Sequence, residues 1–315
     1  MGLRRPVAGI AATGSYVPGR VLTNHDLAAR IDTTDTWIVE RTGIRERRIA
    51  DEHEQASDMA TRAAERALAA AGYSPRDLRL IIVGTISADQ RLPSCAVHVQ
   101  RKLGASCAAF DVAAACAGFL YGLDLACRWI ATSEGPVLVV GVELLSRLLD
   151  WSDRETCVLF GDGAGAVVVD RSPGEGRGVL ETVLGADGSA AHLLHIPPGE
   201  GVVRMRGREV FHRAVTELSE ACGTVLERAG LGPEQVDHVV MHQANRRILE
   251  ALSRRIGVPW ERFHLTIDRW GNTSSASIPL GLDDAVRAGV IEPGQVVLMA
   301  ALGAGVAWGA SVLRW

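Results

Sequence analysis

The chain has 315 residues, a mass of 33.6 kDa and a net charge of −4. Hydrophobic residues make up 47% and charged residues 22%, the balance of a globular protein, so disordered and fibrous classes are excluded. The slight negative charge gives no support to a nucleic-acid or membrane-surface binder. Lys102 is the single lysine, so any cationic recognition surface must be built from arginine.

The cysteine pattern and the hydropathy favour a cytoplasmic protein without a metal site. The N-terminal segment contains Pro6, Gly9 and Gly14 where a signal peptide needs an unbroken apolar stretch. The longest apolar run, residues 136–142, is too short to span a bilayer. Six cysteines without CxxC pairs or metal-ligand spacing favour reduced thiols: Cys95, Cys107, Cys116, Cys127, Cys157 and Cys222.

The sequence repeats itself at a nearly constant offset. Residues 71–83 (AGYSPRDLRLIIV) are similar to residues 229–241 (AGLGPEQVDHVVM), which lie 158 positions later. Residues 122–128 (GLDLACR) are similar to residues 281–287 (GLDDAVR), 159 positions later, and the aliphatic strands that follow keep this offset. The repeat predicts a duplicated α/β unit.

In chain order, each copy begins with a helix and continues into a strand. Ser57 is predicted to cap the first helix and Gly72 to end it, and the second helix is predicted from about Glu209 to Gly230. A proline and a continuous run of aliphatic residues follow each helix, a pattern typical of a strand buried on both faces. Helices that alternate with such strands predict a mostly parallel sheet in each half.

A Gly/Pro-rich, charged segment at residues 171–178 (RSPGEGRG) is the best boundary between the two copies. We therefore predict an N-terminal half over residues 1–172 and a C-terminal half over residues 173–315. The segment FGDGAGA at 160–166 resembles a phosphate-binding loop but lacks the GKS/T ending, so we expect a tight turn between strands there.

Cys116 lies where a predicted strand turns into a long, buried helix. Near a helix N-terminus, the dipole and the free N–H groups stabilise a thiolate, which lowers the cysteine pKa and makes it a nucleophile. A small buried residue in a packed turn would produce the same pattern. The local sequence leaves both interpretations open.

His242 and Asn272 are the other candidates. His242 ends a predicted strand at its carboxyl end, where α/β sheets carry their sites, although a lone histidine there can be structural. Asn272 lies in a turn (RWGNTSSASIP) that opens a helix and could simply cap it. At the offset of 159, Cys116 falls opposite Ser275, so both turns are predicted to face the seam between the halves. A thiol, an imidazole and an amide that converge there suit acyl-thioester chemistry.

These residues lie in motifs that resemble those of β-ketoacyl-[acyl-carrier-protein] (ACP) synthase III, a family of the thiolase superfamily. Cys116 is in AAACAGF, His242 is in HQAN and Asn272 is in GNTSSAS. The resemblance includes TTDTWIVERTGIRERR at 33–48 and the ending GAGVAWGASVLRW, and covers essentially the whole chain. It implies a thiolase-like α/β fold, a duplicated, five-layered α-β-α-β-α arrangement, and a homodimer.

The resemblance also implies a condensing acyltransferase. An acyl-CoA would load its acyl group on Cys116, and malonyl-ACP would then decarboxylate and attack the thioester to give a 3-oxoacyl-ACP. His242 and Asn272 would donate hydrogen bonds to the oxygen where enolate charge develops. The backbone N–H groups of Cys116 and Ala304 would form the oxyanion hole. The reaction would need no cofactor besides its CoA and carrier substrates.

Four further residues match family positions that bind the two substrates. Trp37, Arg41 and Arg154 match positions that hold the adenine and phosphates of CoA. Arg247 matches a docking arginine for the acidic acyl carrier protein, and the neighbouring Arg246 could share or replace that contact. Exposed arginines can equally be solvated surface, so these roles depend on the resemblance.

The chain departs from the family pattern at two positions. Leu92 stands where the family commonly has phenylalanine in a loop that reaches the partner's acyl pocket. Leu302 stands where phenylalanine commonly lies beside the nucleophile. Both changes remove a planar ring near the acyl group. They put simple acetyl specificity in doubt and leave room for a branched, aromatic or otherwise unusual starter.

Two other functions compete with condensation. A family relative could transfer an acyl group to a non-malonyl acceptor, but decarboxylation is the step that most needs the His–Asn pair, and Asn272 is present. A non-catalytic partner subunit would be expected to lose the cysteine, and Cys116 is present. The sequence leaves open the starter group, the carrier protein, and the choice between fatty-acid and polyketide synthesis.

Overall fold

The computed structural model describes residues 6–174 and 176–315. Residues 1–5 lie outside the described residues. They are the first residues of the predicted N-terminal half and of the segment that was not expected to be a signal peptide. Residue 175, in the predicted boundary segment, also lies outside the described residues.

The described chain forms thirteen strands and nine α-helices. The strands are β1 (Ala8–Tyr16), β2 (Arg20–Thr23), β3 (Glu46–Ile49), β4 (Leu80–Gly84), β5 (Ala108–Val112), β6 (Val137–Glu143), β7 (Gly163–Arg171), β8 (Gly178–Ala186), β9 (Leu194–His195), β10 (Arg204–Met205), β11 (His238–Val239), β12 (Val296–Gly303) and β13 (Ala307–Arg314). The α-helices are α1 (Asn24–Ala28), α2 (Asp35–Thr42), α3 (Ala56–Ala71), α4 (Cys95–Leu103), α5 (Gly118–Thr132), α6 (Gly207–Ala229), α7 (Arg246–Ile256), α8 (Ile267–Trp270) and α9 (Ser277–Arg287).

Two larger sheets form the framework. One has the strand order β1-β7-β6-β4-β5 and the other has the order β11-β12-β13-β8. Strand β4 runs parallel to β5 and β6, and β11 runs parallel to β12, whereas the remaining pairs in both sheets are antiparallel. The prediction of mostly parallel sheets is therefore wrong. Residues 304–306 alone connect β12 to β13, and so short a connection permits only antiparallel pairing.

The helices and sheets stack in five layers, which confirms the predicted fold class. Helices α3 and α4 cover one face of the first sheet, α5 and α9 lie between the two sheets, and α6 and α7 cover the second sheet. The first sheet is buried on both faces, because Ile81 packs in the cluster with α3 and its neighbour Ile82 packs in the cluster with α5.

The internal repeat is visible in the structure. Strands β4 and β6 correspond to β11 and β12, and helix α5 corresponds to α9. A 3₁₀ turn precedes each central helix, at Ala115–Ala117 and at Ser274–Ala276. The first residue of each turn has a left-handed backbone, with φ of +45° at Ala115 and +48° at Ser274. The two copies therefore share the strained turn that carries Cys116 in one and Ser275 in the other.

The predicted helix ends are correct and one predicted helix start is wrong. Gly72 and Gly230 end α3 and α6 with left-handed backbones, as glycine allows. Ser57 does not cap α3: Gln55 is the N-cap, and Ser57 lies inside the helix. Its hydroxyl and backbone N–H both bond to the carboxylate of Asp89, a partner that the local sequence does not reveal.

The predicted turn at residues 160–166 is also wrong, because Gly163 onwards forms the start of β7. The glycines here serve packing. A Cβ atom on Gly165 would lie 2.5 Å from the backbone nitrogen of Leu280, so glycine allows α9 to approach the strand. Asp162, just before the strand, accepts hydrogen bonds from Ser146 and from the backbone of Ala50.

The strands of the five-stranded sheet fall within residues 8–171, and those of the four-stranded sheet fall within residues 178–314. The division between residues 172 and 173 stays a prediction. No helix in the described ranges combines the length and the apolar character needed to cross a membrane.

Candidate active site

A cavity of about 690 Å³ brings the three candidate residues together. Cys116 enters it from the turn before α5, His242 from the segment after β11, and Asn272 from the turn before α9. Leu302, near the end of β12, lines the same cavity. The duplicated fold therefore gathers residues that are far apart in sequence.

Cys116 is buried against the end of β12. A Cβ atom on Gly303 would lie 2.5 Å from the backbone nitrogen of Cys116, so only glycine allows this close approach. Burial raises the pKa of the Cys116 thiol to about 12, although the Ser274 hydroxyl favours the thiolate. The expectation of a lowered pKa is therefore wrong for the resting protein, because desolvation outweighs the stabilisation expected near the N-terminus of α5.

His242 is held by its backbone and by a pair of hydroxyl groups. Its backbone N–H donates to the carbonyl of Ala300 at 2.9 Å, which extends the pairing of β11 with β12. Its Nδ1 atom lies 3.2 Å from Ser277 Oγ, which in turn lies 3.1 Å from Thr273 Oγ1. Burial lowers the pKa of His242 to about 3, so the imidazole is neutral.

The hydroxyl pair can set the tautomer of His242. A neutral imidazole carries one N–H, and a Ser277 hydroxyl that donates to Nδ1 leaves this proton on Nε2. Among the described residues, the hydrogen bond of the His242 ring is made by Nδ1 and none is made by Nε2. His242 can therefore present a neutral N–H donor to the cavity that it lines.

Asn272 is fixed by three backbone hydrogen bonds. Its backbone N–H donates to Leu159 O at 2.9 Å, and its carbonyl accepts from Gly161 N at 3.0 Å. Its side-chain Oδ1 accepts from the backbone N–H of Ser274 at 2.8 Å. Because Ser274 N–H is a donor, the atom facing it must be the amide oxygen. The amide nitrogen Nδ2 has no partner in the described part of the chain.

The other polar residues of the HQAN motif have positioning contacts that sequence reasoning missed. Gln243 Oε1 accepts from the backbone N–H groups of Thr266 and Ile267, and so anchors the segment that leads to Asn272. Asn245 caps α7 through the backbone N–H of Arg247, and its Nδ2 donates to the carbonyl of Arg41 at 3.0 Å. The only sequence signal was their place beside His242.

The three predicted CoA-binding residues meet at the cavity mouth. The guanidinium carbons of Arg41 and Arg154 lie 4.9 and 5.2 Å from the centre of the Trp37 ring. Arg154 is also held by the carbonyl of Asp32 at 2.9 Å. All three predicted residues line the cavity, so an aromatic ring and two positive charges stand at its entrance.

The two arginines predicted to dock the carrier differ in position. Arg247 is exposed and lines the cavity. Arg246 is not among the lining residues: its guanidinium bonds to Glu250 at 2.9 Å and lies 5.8 Å from the ring centre of Trp260. The geometry favours Arg247 over Arg246 as the contact at the mouth.

Leu92 and Ala304 do not line the cavity of their own chain. Leu92 is 84% exposed, on the loop between β4 and α4. Ala304 lies in the turn between β12 and β13, next to the Gly303 that contacts Cys116. The role of Ala304 in an oxyanion hole stays a prediction.

An apolar wall completes the cavity. It was not predicted from the sequence, because apolar side chains belong to no catalytic or binding motif and are common throughout the core. The residues of this wall come from five separate segments and converge only in the folded chain. They are Val158, Leu159, Phe160, Leu194, Met205, Val210, Phe211 and Ile248. Across residues 6–174 and 176–315, no group of three or more His, Cys, Asp or Glu side chains could hold a metal ion.

Comparison with known proteins identifies the family. The model for 3-oxoacyl-[acyl-carrier-protein] synthase III matches residues 110–188, and the model for its C-terminal part matches residues 226–315. The chain is 50% identical to a β-ketoacyl-[acyl-carrier-protein] synthase III from Rhizorhabdus wittichii, over 99% of this chain and 100% of that protein.

Solved structures agree with this assignment. The 3-oxoacyl-[acyl-carrier-protein] synthase III of Aquifex aeolicus superimposes with a TM-score of 0.95 and 49% identity, over 98% of this chain and 100% of that one. The priming β-ketosynthase of the R1128 polyketide pathway superimposes with a TM-score of 0.93 and 37% identity, over 100% of this chain and 98% of that one. The chain belongs to the β-ketoacyl-[acyl-carrier-protein] synthase III family.

Proposed function

We propose that this protein is a condensing acyltransferase that initiates fatty-acid synthesis. It transfers an acyl group from CoA to Cys116 and then condenses that group with malonyl-ACP to give a 3-oxoacyl-ACP. The observation that carries the proposal is the convergence of Cys116, His242 and Asn272 in one cavity with an apolar wall and a cationic, aromatic mouth.

Loading exchanges one thioester for another. The sulfur of Cys116 attacks the acyl carbonyl, the carbon–sulfur bond to CoA breaks, and CoA leaves as its thiol with the proton from Cys116. The buried Cys116 is protonated at rest, so the thiolate need form only as the acyl donor enters. The N-terminus of α5 then favours the developing negative charge.

Condensation uses two donors that line the same cavity as the thiol. When malonyl-ACP loses CO₂, the electrons of the broken carbon–carbon bond delocalise on the thioester oxygen as an enolate. His242 Nε2–H and Asn272 Nδ2–H can both donate to that oxygen, and their positions are fixed before the reaction. The enolate carbon attacks the carbonyl carbon of the acyl group, the carbon–sulfur bond to Cys116 breaks, and the released cysteine thiolate takes up a proton from solvent.

The cavity mouth supports recognition of CoA and of an acidic carrier. Trp37 offers a stacking surface for a nucleobase, while Arg41 and Arg154 offer charge to phosphate groups. Arg247 lies at the same entrance and is exposed, as a docking contact for the acyl carrier protein requires.

The starter group depends on the cavity walls. Leu302 presents a flexible aliphatic side chain beside Cys116, and the surrounding wall is apolar. This lining supports starters larger than acetyl, including branched and aromatic groups. The second candidate function is the priming of polyketide synthesis by the same chemistry with an unusual starter. The resemblance to a priming β-ketosynthase of a polyketide pathway supports it.

A homodimer is the proposed assembly. Strand β5 is the edge of the five-stranded sheet, and Phe110 on it is 39% exposed. An exposed, apolar edge strand is a ready template for pairing with a second copy. The exposed Leu92 follows the adjacent strand β4, so the same interface would carry Leu92 toward the partner's cavity.

Intact-protein mass spectrometry with a panel of acyl-CoAs tests the proposal. We expect one acyl group per chain, mapped to Cys116, and CO₂ release when malonyl-ACP is added to the loaded protein. The Cys116→Ser variant is the control and should not accept a thioester-linked group. Acyl label on Cys157 or Cys107 would refute the assignment of the nucleophile, and loading without CO₂ release would favour plain acyl transfer.

A further inference from the structure

Glu143, at the end of β6, is a fully buried carboxyl group behind the candidate site. Its Oε2 atom accepts hydrogen bonds from the backbone N–H of Ile86 at 3.2 Å and from the hydroxyl groups of Thr85 and Ser87. Its Oε1 atom accepts from the Ser274 hydroxyl at 3.3 Å, across 131 positions of sequence. This carboxyl group therefore connects the C-terminal ends of β4 and β6 to the turn before α9.

Ser274 links this carboxyl group to the catalytic candidate Asn272. Its φ of +48° is a conformation that a non-glycine residue keeps only where its surroundings enforce it. In that conformation, the backbone N–H of Ser274 donates to Asn272 Oδ1 at 2.8 Å. The hydrogen bond to Glu143 holds the Ser274 side chain. The backbone N–H of the same residue, Ser274, orients the Asn272 amide.

We propose that Glu143 is a positioning residue for decarboxylation: through Ser274, it holds Asn272 with its Nδ2 atom toward the cavity. This inference rests on the proposed function, in which Asn272 Nδ2–H stabilises the enolate. Glu143 reaches Asn272 through Ser274, so its positioning effect belongs to the half-reaction that uses Asn272. Loading of Cys116 does not use that amide and should be spared.

The electrostatics of the site point in the same direction. Burial raises the pKa of the Cys116 thiol, and an ionised Glu143 raises it further, so removal of this carboxyl group does not hinder formation of the thiolate. The contact with Ser274 does not require that charge, because a hydroxyl group can donate to a carboxylate or accept from a neutral amide or acid. Glutamine at position 143 can therefore keep the link that alanine loses.

Separate assays of the two half-reactions test the proposal. In Glu143→Ala, we expect CO₂ release by the acylated protein to fall about 10–100-fold, since a small misplacement of a catalytic group has effects of this order, while the loading rate is retained. Glu143→Gln should recover most of the CO₂ release. Asp283→Asn is the matched control for Glu143→Gln, because Asp283 is also a buried carboxyl group, bonded to Thr13, Ser15 and Arg287. It should keep both rates.

The route through Ser274 has its own test. Ser274→Ala should lower CO₂ release as much as Glu143→Ala, and the double variant should fall no further, because both changes break one link. Additive losses would overturn that route. Equal loss of loading and CO₂ release in both Glu143→Ala and Glu143→Gln would indicate a general structural role and overturn the proposal.

A crystal structure of Glu143→Ala separates this inference from the proposed function. We expect the contact between Ser274 N and Asn272 Oδ1 to lengthen and the amide to turn from its present orientation. An unchanged amide would overturn the inference even in a protein that condenses. A wild-type protein that loads an acyl group but releases no CO₂ would instead contradict the proposed function. In that case, a turned Asn272 amide in the Glu143→Ala crystal structure would still support the positioning role of Glu143. If Glu143→Ala does not fold, crystals of Ser274→Ala provide the same readout.

Discussion

The imidazole of His242 and the amide of Asn272 are held in place by different hydrogen-bonding groups. A hydroxyl group of Ser277 engages the His242 ring, and a backbone N–H of Ser274 engages the Asn272 amide. In each side chain, the atom without a partner among the described residues is a nitrogen that can donate. Two preorganised donors in a buried cavity favour a reaction in which negative charge develops on one oxygen.

His242→Ala and Asn272→Ala should therefore separate the two half-reactions. We expect each variant to accept an acyl group on Cys116 at a measurable rate but to release CO₂ from malonyl-ACP roughly 10²–10³ times more slowly, the usual effect of losing one such donor. Mass spectrometry of the loaded protein and a CO₂ assay measure the two steps. Full condensing activity in Asn272→Ala would refute its role and revive plain acyl transfer.

The buried, neutral His242 should also affect how stability depends on pH. Its folded pKa of about 3 lies below the ordinary value near 6.5, so between these values the unfolded chain binds a proton that the folded chain does not. The free energy of unfolding therefore falls as the pH falls through this window.

Urea unfolding of the wild type and His242→Gln, at neutral and mildly acidic pH, measures this contribution. We expect the wild type to lose stability relative to the variant by up to about 1.4 kcal/mol per pH unit below about 6.5. Both proteins must be compared at the same concentration, because association would also change stability. A stability difference that does not change with pH would show that His242 titrates normally in the folded protein.

At this scale, the sequence predicted which residues converge but not their environment. Motifs identified Cys116, His242 and Asn272, whereas the pKa of Cys116 depends on burial by distant segments such as the end of β12. The roles of Ser277 and Glu143 were also missed. Their partners lie 35 and 131 positions away, and no local pattern marks a contact of that kind.

At the scale of elements, the repeat predicted which helices and strands of one half correspond to those of the other, because a repeated hydrophobic pattern folds into a repeated unit. Strand direction was missed, since a continuous aliphatic run is buried on both faces in either a parallel or an antiparallel pair. A glycine in a strand was also misread, because Gly165 was assigned to a turn. Gly165 of β7 and Gly14 of β1 make room for helices that pack on the sheet.

Gly14→Ala should destabilise the fold for this reason. An added Cβ atom would lie 2.4 Å from both Ala63 O and Ala67 N of α3, which is too close for any side chain, so the helix must shift. We expect a loss of about 1–3 kcal/mol in the free energy of unfolding, the usual cost of overpacking a core. Urea unfolding measures it.

Gly223→Ala is the matched control for Gly14→Ala. Gly223 lies inside α6, and apart from its chain neighbours and the nearby backbone of its own helix, no heavy atom of the described residues would lie within 4 Å of its added Cβ atom. Alanine there should raise stability by about 0.5–1 kcal/mol, because glycine is a poor helix former. Similar changes in both variants would mean that the tight contact of β1 with α3 does not limit stability.

At the scale of the whole molecule, the exposed edge of β5 and the exposed Leu92 suggest that one chain is not the working unit. Phe110→Lys should convert the proposed dimer into a monomer, because a charged side chain on an edge strand opposes pairing. Sedimentation velocity measures the change. Val290→Lys is the control, since Val290 is similarly exposed on the loop after α9. A wild-type monomer, or a dimer that survives Phe110→Lys, would contradict this interface.

The carrier presents a further problem at this scale, because acyl carrier proteins are acidic and this chain has a net charge of −4. Docking must then use a local patch of arginine rather than overall attraction. Arg247, at the first turn of α7, is exposed at the cavity mouth and has no ion-pair partner among the described residues. Arg247→Glu should therefore raise the KM for malonyl-ACP about tenfold, which corresponds to about 1.4 kcal/mol, while loading from acyl-CoA is nearly unchanged.

Salt and a second arginine test whether charge is the cause. The wild-type KM for malonyl-ACP should rise with ionic strength, since exposed charges about 10 Å apart are largely screened near 0.1 M, and the Arg247→Glu variant should respond less. Arg254→Glu makes the same change of charge in the last turn of α7, away from the mouth, and should leave the KM near its wild-type value. Equal losses in loading and condensation for Arg247→Glu would instead identify a structural arginine. An equal rise in KM for Arg254→Glu would mean that overall charge, and not the position of Arg247, governs docking.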